Sequence, residues 1–214
     1  MAHLSRSILL RSGWLASLAF LGPQTANSQS PGAAIPDAIR SVIGQWCWSE
    51  LRIQDVKVPQ FPGVRFKRGT CTGEHGDELS ALVAIDSDSV LYLLTSSDAL
   101  NFLLARHPVS VPKDTAGLLA HARLILDLAG QADPRASTVT AWENFPAAAR
   151  DSARGYSVRP VQVVRQGPWW TVRLFTVEDG AFGPYANGYD VWFDPEGTRV
   201  DVKRAWHWQR VAGP

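Results

Sequence analysis

Between residues 157 and 208 the chain carries four runs of β-forming residues in close succession, at 157–164, 169–177, 189–193 and 199–208. Val, Trp, Tyr, Phe and Thr recur in them. The breaks hold turn residues: Gly167-Pro168, a long loop at 178–188, and Asp194-Pro195-Glu196-Gly197. Strands joined by short connections pair antiparallel, so this region reads as a meander. A parallel α/β arrangement would need a helix between each pair of strands. In the last run Val200, Val202, Trp206 and Trp208 alternate with Asp201, Lys203 and His207, which predicts one buried face for the four apolar residues. Arg204 falls on that face and breaks the pattern.

Upstream, Ile35, Ile39, Val42, Ile43 and Trp46 recur at helical spacing behind Pro36, which predicts a helix over 36–45. Short alternating stretches follow (Leu51 and Ile53, Val56 and Val58, Val64 and Phe66), parted by Pro59 and Pro62-Gly63. The runs 79–85 and 90–95 read as a hairpin across Asp86-Ser87-Asp88-Ser89. Ser96-Ser97-Asp98 offers an N-cap to a helix ending at Arg106. A second helix is predicted over 114–129, between Pro112 and Gly130. Leu118, Ala122, Ile125 and Ala129 form its centre line, and Arg123 and Asp127 an i,i+4 pair. A further short helix is read at 146–153.

Runs of strands set apart from helices predict an α+β fold: an antiparallel β-meander, a curved sheet packed on a few helices. It forms one globular region at 35–214 or two helix-plus-sheet halves, 35–95 and 96–214. This order is loosely similar to cystatin-like and nuclear-transport-factor-like folds, a likeness of architecture that implies no function. Gln162-Val163-Val164-Arg165-Gln166 resembles the Gln-x-Val-x-Gly hairpin of cystatin protease inhibitors. Gln166 stands where that family has Gly, and the match is set aside as coincidence.

Residues 1–28 hold Arg6 and Arg11, no acidic residue, an apolar stretch at 13–21, then Gly22-Pro23 and a small-residue step at Ala26-Asn27-Ser28. Those are the parts of a secretory signal peptide, and the apolar run is about half of the ~20 residues a spanning helix needs. A flexible lead is read at 29–34. Export to the periplasm or the extracellular space is therefore expected. Arg-rich, Ala/Gly-rich usage suggests a bacterial source, and no integral membrane segment is expected after cleavage. Net charge is only +1, which argues against a polybasic nucleic-acid binder.

Cys47 and Cys71 are the two cysteines of the chain, and in an oxidising compartment they are expected to form a disulfide worth about 3 kcal/mol. The competing reading takes Gly69-Thr70-Cys71-Thr72-Gly73 as a G-x-C-x-G turn presenting a nucleophile. The two exclude each other, because a bridged sulfur cannot attack.

The chain is rich in tryptophan, and Trp46/Trp48, Trp169/Trp170 and Trp206/Trp208 form pairs. Most are assigned to the core, where Trp buries a large area. The loop 178–188 is the best candidate contact surface, with Phe182, Tyr185 and Asn187 as binding residues and Trp169 as a fourth. Glu74-His75-Gly76-Asp77-Glu78 reads as a solvated turn rather than a metal site, because adjacent side chains do not converge. His121 sits in the apolar arc of its helix, as a core histidine. No catalytic constellation, cofactor or metal motif stands out. The sequence therefore predicts an exported, non-enzymatic binding or interaction module with a protein, peptide or glycan partner in the cell envelope. The alternative is an exported hydrolase using Cys71.

Overall fold

The computed structural model describes residues 31–74, 76–132, 136–139, 142–150, 161–180 and 183–209. Helix α1 (Pro31–Ile43) runs into a short 3-10 turn (Gly44–Trp46). Strands β1 (Arg52–Val56), β2 (Arg65–Thr72), β3 (Glu78–Ile85) and β4 (Leu91–Leu94) follow, then helices α2 (Ser97–Arg106) and α3 (Thr115–Leu128). The second half holds β5 (Ser137–Val139), a 3-10 turn (Trp142–Asn144), β6 (Gln162–Gln166), β7 (Trp169–Gly180), β8 (Gly183–Phe193) and β9 (Val200–Gln209). All pairings are antiparallel. The first sheet is ordered β1-β2-β3-β4 and the second β5-β7-β8-β9, with β6 also on β7. The fold is α+β, as predicted. The signal-peptide reading at 1–28 lies outside the described residues.

Several local devices set these elements. The Ser96 hydroxyl accepts from the Ala99 amide and starts α2, and the Asp114 carboxylate accepts from the Gly117 amide and starts α3. Helix α1 begins at Pro31, inside the stretch read as a loose lead. Pro36 thus lies within the helix rather than at its first position, and Pro31 takes that place. The β3–β4 hairpin is closed by the buried Asp86, whose Oδ1 accepts from the Asp88 and Val90 amides while Oδ2 accepts from the Tyr92 hydroxyl. Burial pushes the Asp86 carboxyl up. The Val90 amide, Tyr92, His107 and Arg106 more than offset this and hold it below its ordinary value.

One face of the first sheet, with Cys71, Ala81, Val83 and Ile85, takes α1 through Ile35, Ile39 and Ile43. Its opposite face, with Phe66, Leu82, Ala84 and Leu94, packs on α2 and α3. The same two helices receive Val172, Leu174, Val191 and Phe193 from the second sheet, so one core runs through both sheets. Helix α2 also covers the free edge of β9. Asn101 donates to the Val200 carbonyl at 2.9 Å and accepts from its amide at 2.7 Å, and the Ser97 hydroxyl accepts from the Val202 amide. Those edge groups would otherwise invite another strand.

Two readings of the second sheet need correction. The stretch 178–188 is not a long loop: β7 extends to Gly180 and β8 starts at Gly183, and these two glycines pair with each other. The second correction concerns β9. Gly188 pairs with Trp206 but Tyr189 pairs with Arg204, which leaves Ala205 as a β-bulge. One extra residue reverses every side chain beyond it. Val200, Val202 and Arg204 therefore face the helices, while Trp206 and Trp208 turn to the far face of the sheet and join a separate cluster with Val139, Phe145, Phe175 and Ala186. Gly188 makes room for that cluster, because a Cβ there would lie 2.5 Å from Phe175 and 3.2 Å from Trp206.

The tryptophan assignment to the core also divides. Trp206 is buried, but Trp46 and Trp48 are 60% and 72% exposed on either side of Cys47. Among the described residues no helix is long and apolar enough to cross a membrane.

His121 is buried on α3, edge-on to Phe193 with ring centroids 4.8 Å apart. Burial lowers its pKa from 6.5 to about 4. Between those values the unfolded chain binds a proton that the folded protein does not. The stability present above pH 6.5 is therefore lost progressively as pH falls toward 4. Going from pH 7 to 5, the loss should be about 2 kcal/mol. Denaturant titrations of the protein and of His121→Leu at both pH values check this. The variant should lack this part of the slope, and equal slopes would show that His121 is not the group responsible.

Candidate functional site

The face of the second sheet that packs on α2 and α3 is apolar only for part of its length. From Val172 and Leu174 on β7 it continues to Thr176 and Glu178. From Val191 on β8 it continues through Tyr189 to Asn187 and Tyr185. On β9, Val200 and Val202 give way to Arg204, His207 and Gln209. Register sets these groups side by side: Thr176 opposite Asn187, Glu178 opposite Tyr185, and Asn187 opposite His207. Paired residues of neighbouring strands present their side chains to the same face, so the cluster follows from the backbone. Its last member follows from the bulge, without which His207 would point to the other side.

Glu178 and Asn187 are buried, Tyr185 is half-buried and His207 is exposed. The Tyr185 hydroxyl donates to Glu178 Oε2. His207 Nδ1 lies 2.8 Å from Asn187 Oδ1, and its ring is 6.2 Å from that of Tyr185. An imidazole protonated at Nδ1 donates to the Asn187 amide oxygen in this arrangement. Beside them the Tyr189 hydroxyl donates to the Gln131 carbonyl at 2.8 Å. Burial pushes the Tyr189 phenol up to about 12, and the Glu178 carboxylate adds to this. Arg204, Arg123 and the Thr176 hydroxyl oppose it. Arg123 is paired with Asp127 at 3.1 Å on the adjoining face of α3.

Of the four binding residues read from the sequence, Tyr185 and Asn187 stand here together, two positions apart on β8. Both lie on a paired strand instead of a loop. Phe182 lies outside the described residues. Trp169 pairs with Gln166 at the other end of β7, nine positions from Glu178 and so about 30 Å away at the usual rise of a strand. Glu178 and His207 were not singled out as site residues. The signal that could have found them was Arg204, whose misfit on an apolar face marks the bulge.

Cys71 lies within β2, so Gly69-Thr70-Cys71-Thr72 is extended strand and not a strand-to-helix turn. Its sulfur is bonded to that of Cys47, with Cα atoms 5.6 Å apart, and the residue is 5% exposed. Held this way it offers no thiolate. In the acidic turn at 74–78, His75 lies outside the described residues. Among the described residues no three of His, Cys, Asp or Glu are gathered as a metal site requires.

Comparison with family models, with curated proteins and with solved structures finds no match to the chain.

Proposed function

We propose that the protein is an exported binding module that holds a hydrogen-bonding peptide or glycan partner of the cell envelope at the polar end of its second sheet. The observation that carries this reading is the Asn187–His207 pair. A buried amide contacts the imidazole of an exposed histidine, beside the Tyr185–Glu178 pair. Buried carboxylates and amides cost desolvation where valine or leucine would have completed the core, so they are poor devices for stability alone. A role in recognition accounts for them. The reading of residues 1–28 as a signal peptide supports export, and a disulfide is at home in an oxidising compartment.

The test compares the protein with a Tyr185→Phe/His207→Gln double variant in capture from a native envelope extract. Losing the phenol and the imidazole should reduce retention of the captured partner at least tenfold, the usual order for removing two hydrogen bonds at a binding site. Loss of the phenol from the buried Glu178 carboxylate should lower the thermal midpoint by several degrees, so retention is compared well below both midpoints. Equal retention by the two proteins would remove this cluster from the reading.

A further inference from the structure

At the end of the second sheet remote from Tyr185, three connections converge. The α2–α3 connection brings Val111, Pro112 and Lys113, the β6–β7 hairpin brings Arg165 and Trp170, and the β8–β9 turn brings Pro195. Together they line an open cavity of about 340 Å³. The walls are tied to one another, since the Val109 amide donates to the Gly197 carbonyl at 3.1 Å and joins the first connection to the third. Arg165 and Trp170 are cross-strand partners, and the guanidinium carbon lies 5.6 Å over the indole. That stacking holds the planar fork in place with its donors free for a ligand.

The charge at this opening is one-sided. Lys113 and Arg165 both line it, and among the described residues no acidic side chain does. Asp114, next to Lys113, is exposed and caps α3, with Oδ1 accepting from the Gly117 amide at 2.8 Å. Neither Lys113 nor Arg165 takes part in an ion pair among the described residues. Two unpaired cations set beside two proline rings and a valine are complementary to a molecule with a negative end and an apolar body.

We propose that this cavity binds a small organic anion, a carboxylate carried on a planar apolar body. The carboxylate sits between the Arg165 fork, which can engage both its oxygens, and the Lys113 ammonium. The body lies against Val111, Pro112 and Pro195. The volume falls at the lower end of small-ligand pockets, which sets the scale at about one substituted ring. This site shares no residue with the Tyr185 cluster and does not depend on that reading.

The probe is 4-fluorobenzoate, followed by ¹⁹F line broadening on the intact protein, with neutral 4-fluorobenzamide and inorganic phosphate as comparisons. A ligand of this size should bind with a Kd of about 1 mM. The benzamide should bind at least tenfold more weakly, and phosphate should not displace the benzoate. Arg165→Gln, a change at an exposed position, should raise the Kd about tenfold. Arg165→Lys should fall between, because it keeps the charge and loses the fork. The Tyr185→Phe/His207→Gln variant should bind the probe unchanged. Equal binding of benzoate and benzamide, or undiminished binding by Arg165→Gln, would overturn the proposal. Displacement by phosphate would overturn the requirement for an apolar body.

Discussion

Replacing Gly197 by alanine should lower stability by about 4 kcal/mol, through left-handed backbone strain together with overpacking against a fixed neighbour. Gly197 has φ +67°, and a Cβ there would lie 1.8 Å from the Val109 carbonyl oxygen and 2.8 Å from its carbon. Those are backbone atoms, so no rotamer change relieves the contact. Neither side can easily retreat. Val109 is buried between α2 and α3, and the turn carrying Gly197 is wound on Asp194, whose carboxylate accepts from the Thr198 and Arg199 amides. The thermal midpoint should fall by about 10 °C for a chain of this size. Gly167 provides the comparison: its φ is +60°, yet a Cβ there meets nothing within 4 Å. Gly167→Ala should therefore cost only the backbone strain, about 1 kcal/mol. Thermal denaturation followed by circular dichroism measures both. Equal effects at the two positions would mean that the Val109–Gly197 contact does not hold the two connections together.

Loss of the Cys47–Cys71 bridge should cost about 3 kcal/mol, from the loop entropy that the link removes from the unfolded chain. The bridge joins the segment after α1 to β2. The Trp48 amide donates to the Thr72 carbonyl and the Ser49 hydroxyl accepts from the Thr72 amide at the same place. Reduction therefore releases one end of the layer in which α1 covers Ala81, Val83 and Ile85, and leaves the core beneath α2 and α3 in contact. The Cys47→Ser/Cys71→Ser variant should still fold, with a midpoint about 10 °C lower. Intact-mass measurement of the native protein after alkylation without reductant should find no modified thiol. Two alkylated cysteines would contradict the bridge and return Cys71 to consideration as a nucleophile.

Local patterns carried much of this fold into view, and the reasons they failed elsewhere are physical. Helix α3 was legible because Asp114 caps it, Gly130 follows it, and its apolar residues keep one period throughout. The β3–β4 hairpin was legible because Asp86 to Ser89 is a run of turn formers between two apolar strands. By contrast, residues 178–188 looked like a loop because Gly183, Pro184, Asn187 and Gly188 have poor strand propensity. That preference yields to tertiary context in β8, which is paired on both sides, and Gly188 is required there by the crossing of Phe175 and Trp206.

The site was half legible for a related reason. Tyr185 and Asn187 drew notice as side chains in an unusual segment. Their partnership with Glu178 and His207 depends on pairing between strands and on one bulged residue. A period-two reading carries straight through Ala205 and assigns Trp206, His207 and Trp208 to the wrong faces. The misfit of Arg204 was visible, but a sequence alone does not say whether such a residue is a tolerated exception or the mark of a bulge.

Recognition at the polar end of the second sheet is the central claim, and site-specific photo-crosslinking tests it most directly. Gln209 is exposed and pairs with Tyr185, so a benzoylphenylalanine placed there would border the cluster. Gln54, exposed on β1 of the first sheet, serves as the comparison. On irradiation with native envelope material, the probe at position 209 should form an adduct that disappears in the Tyr185→Phe/His207→Gln background, and the probe at 54 should form none. Adducts of equal yield at both positions, or an adduct at 209 that survives the double substitution, would contradict the account.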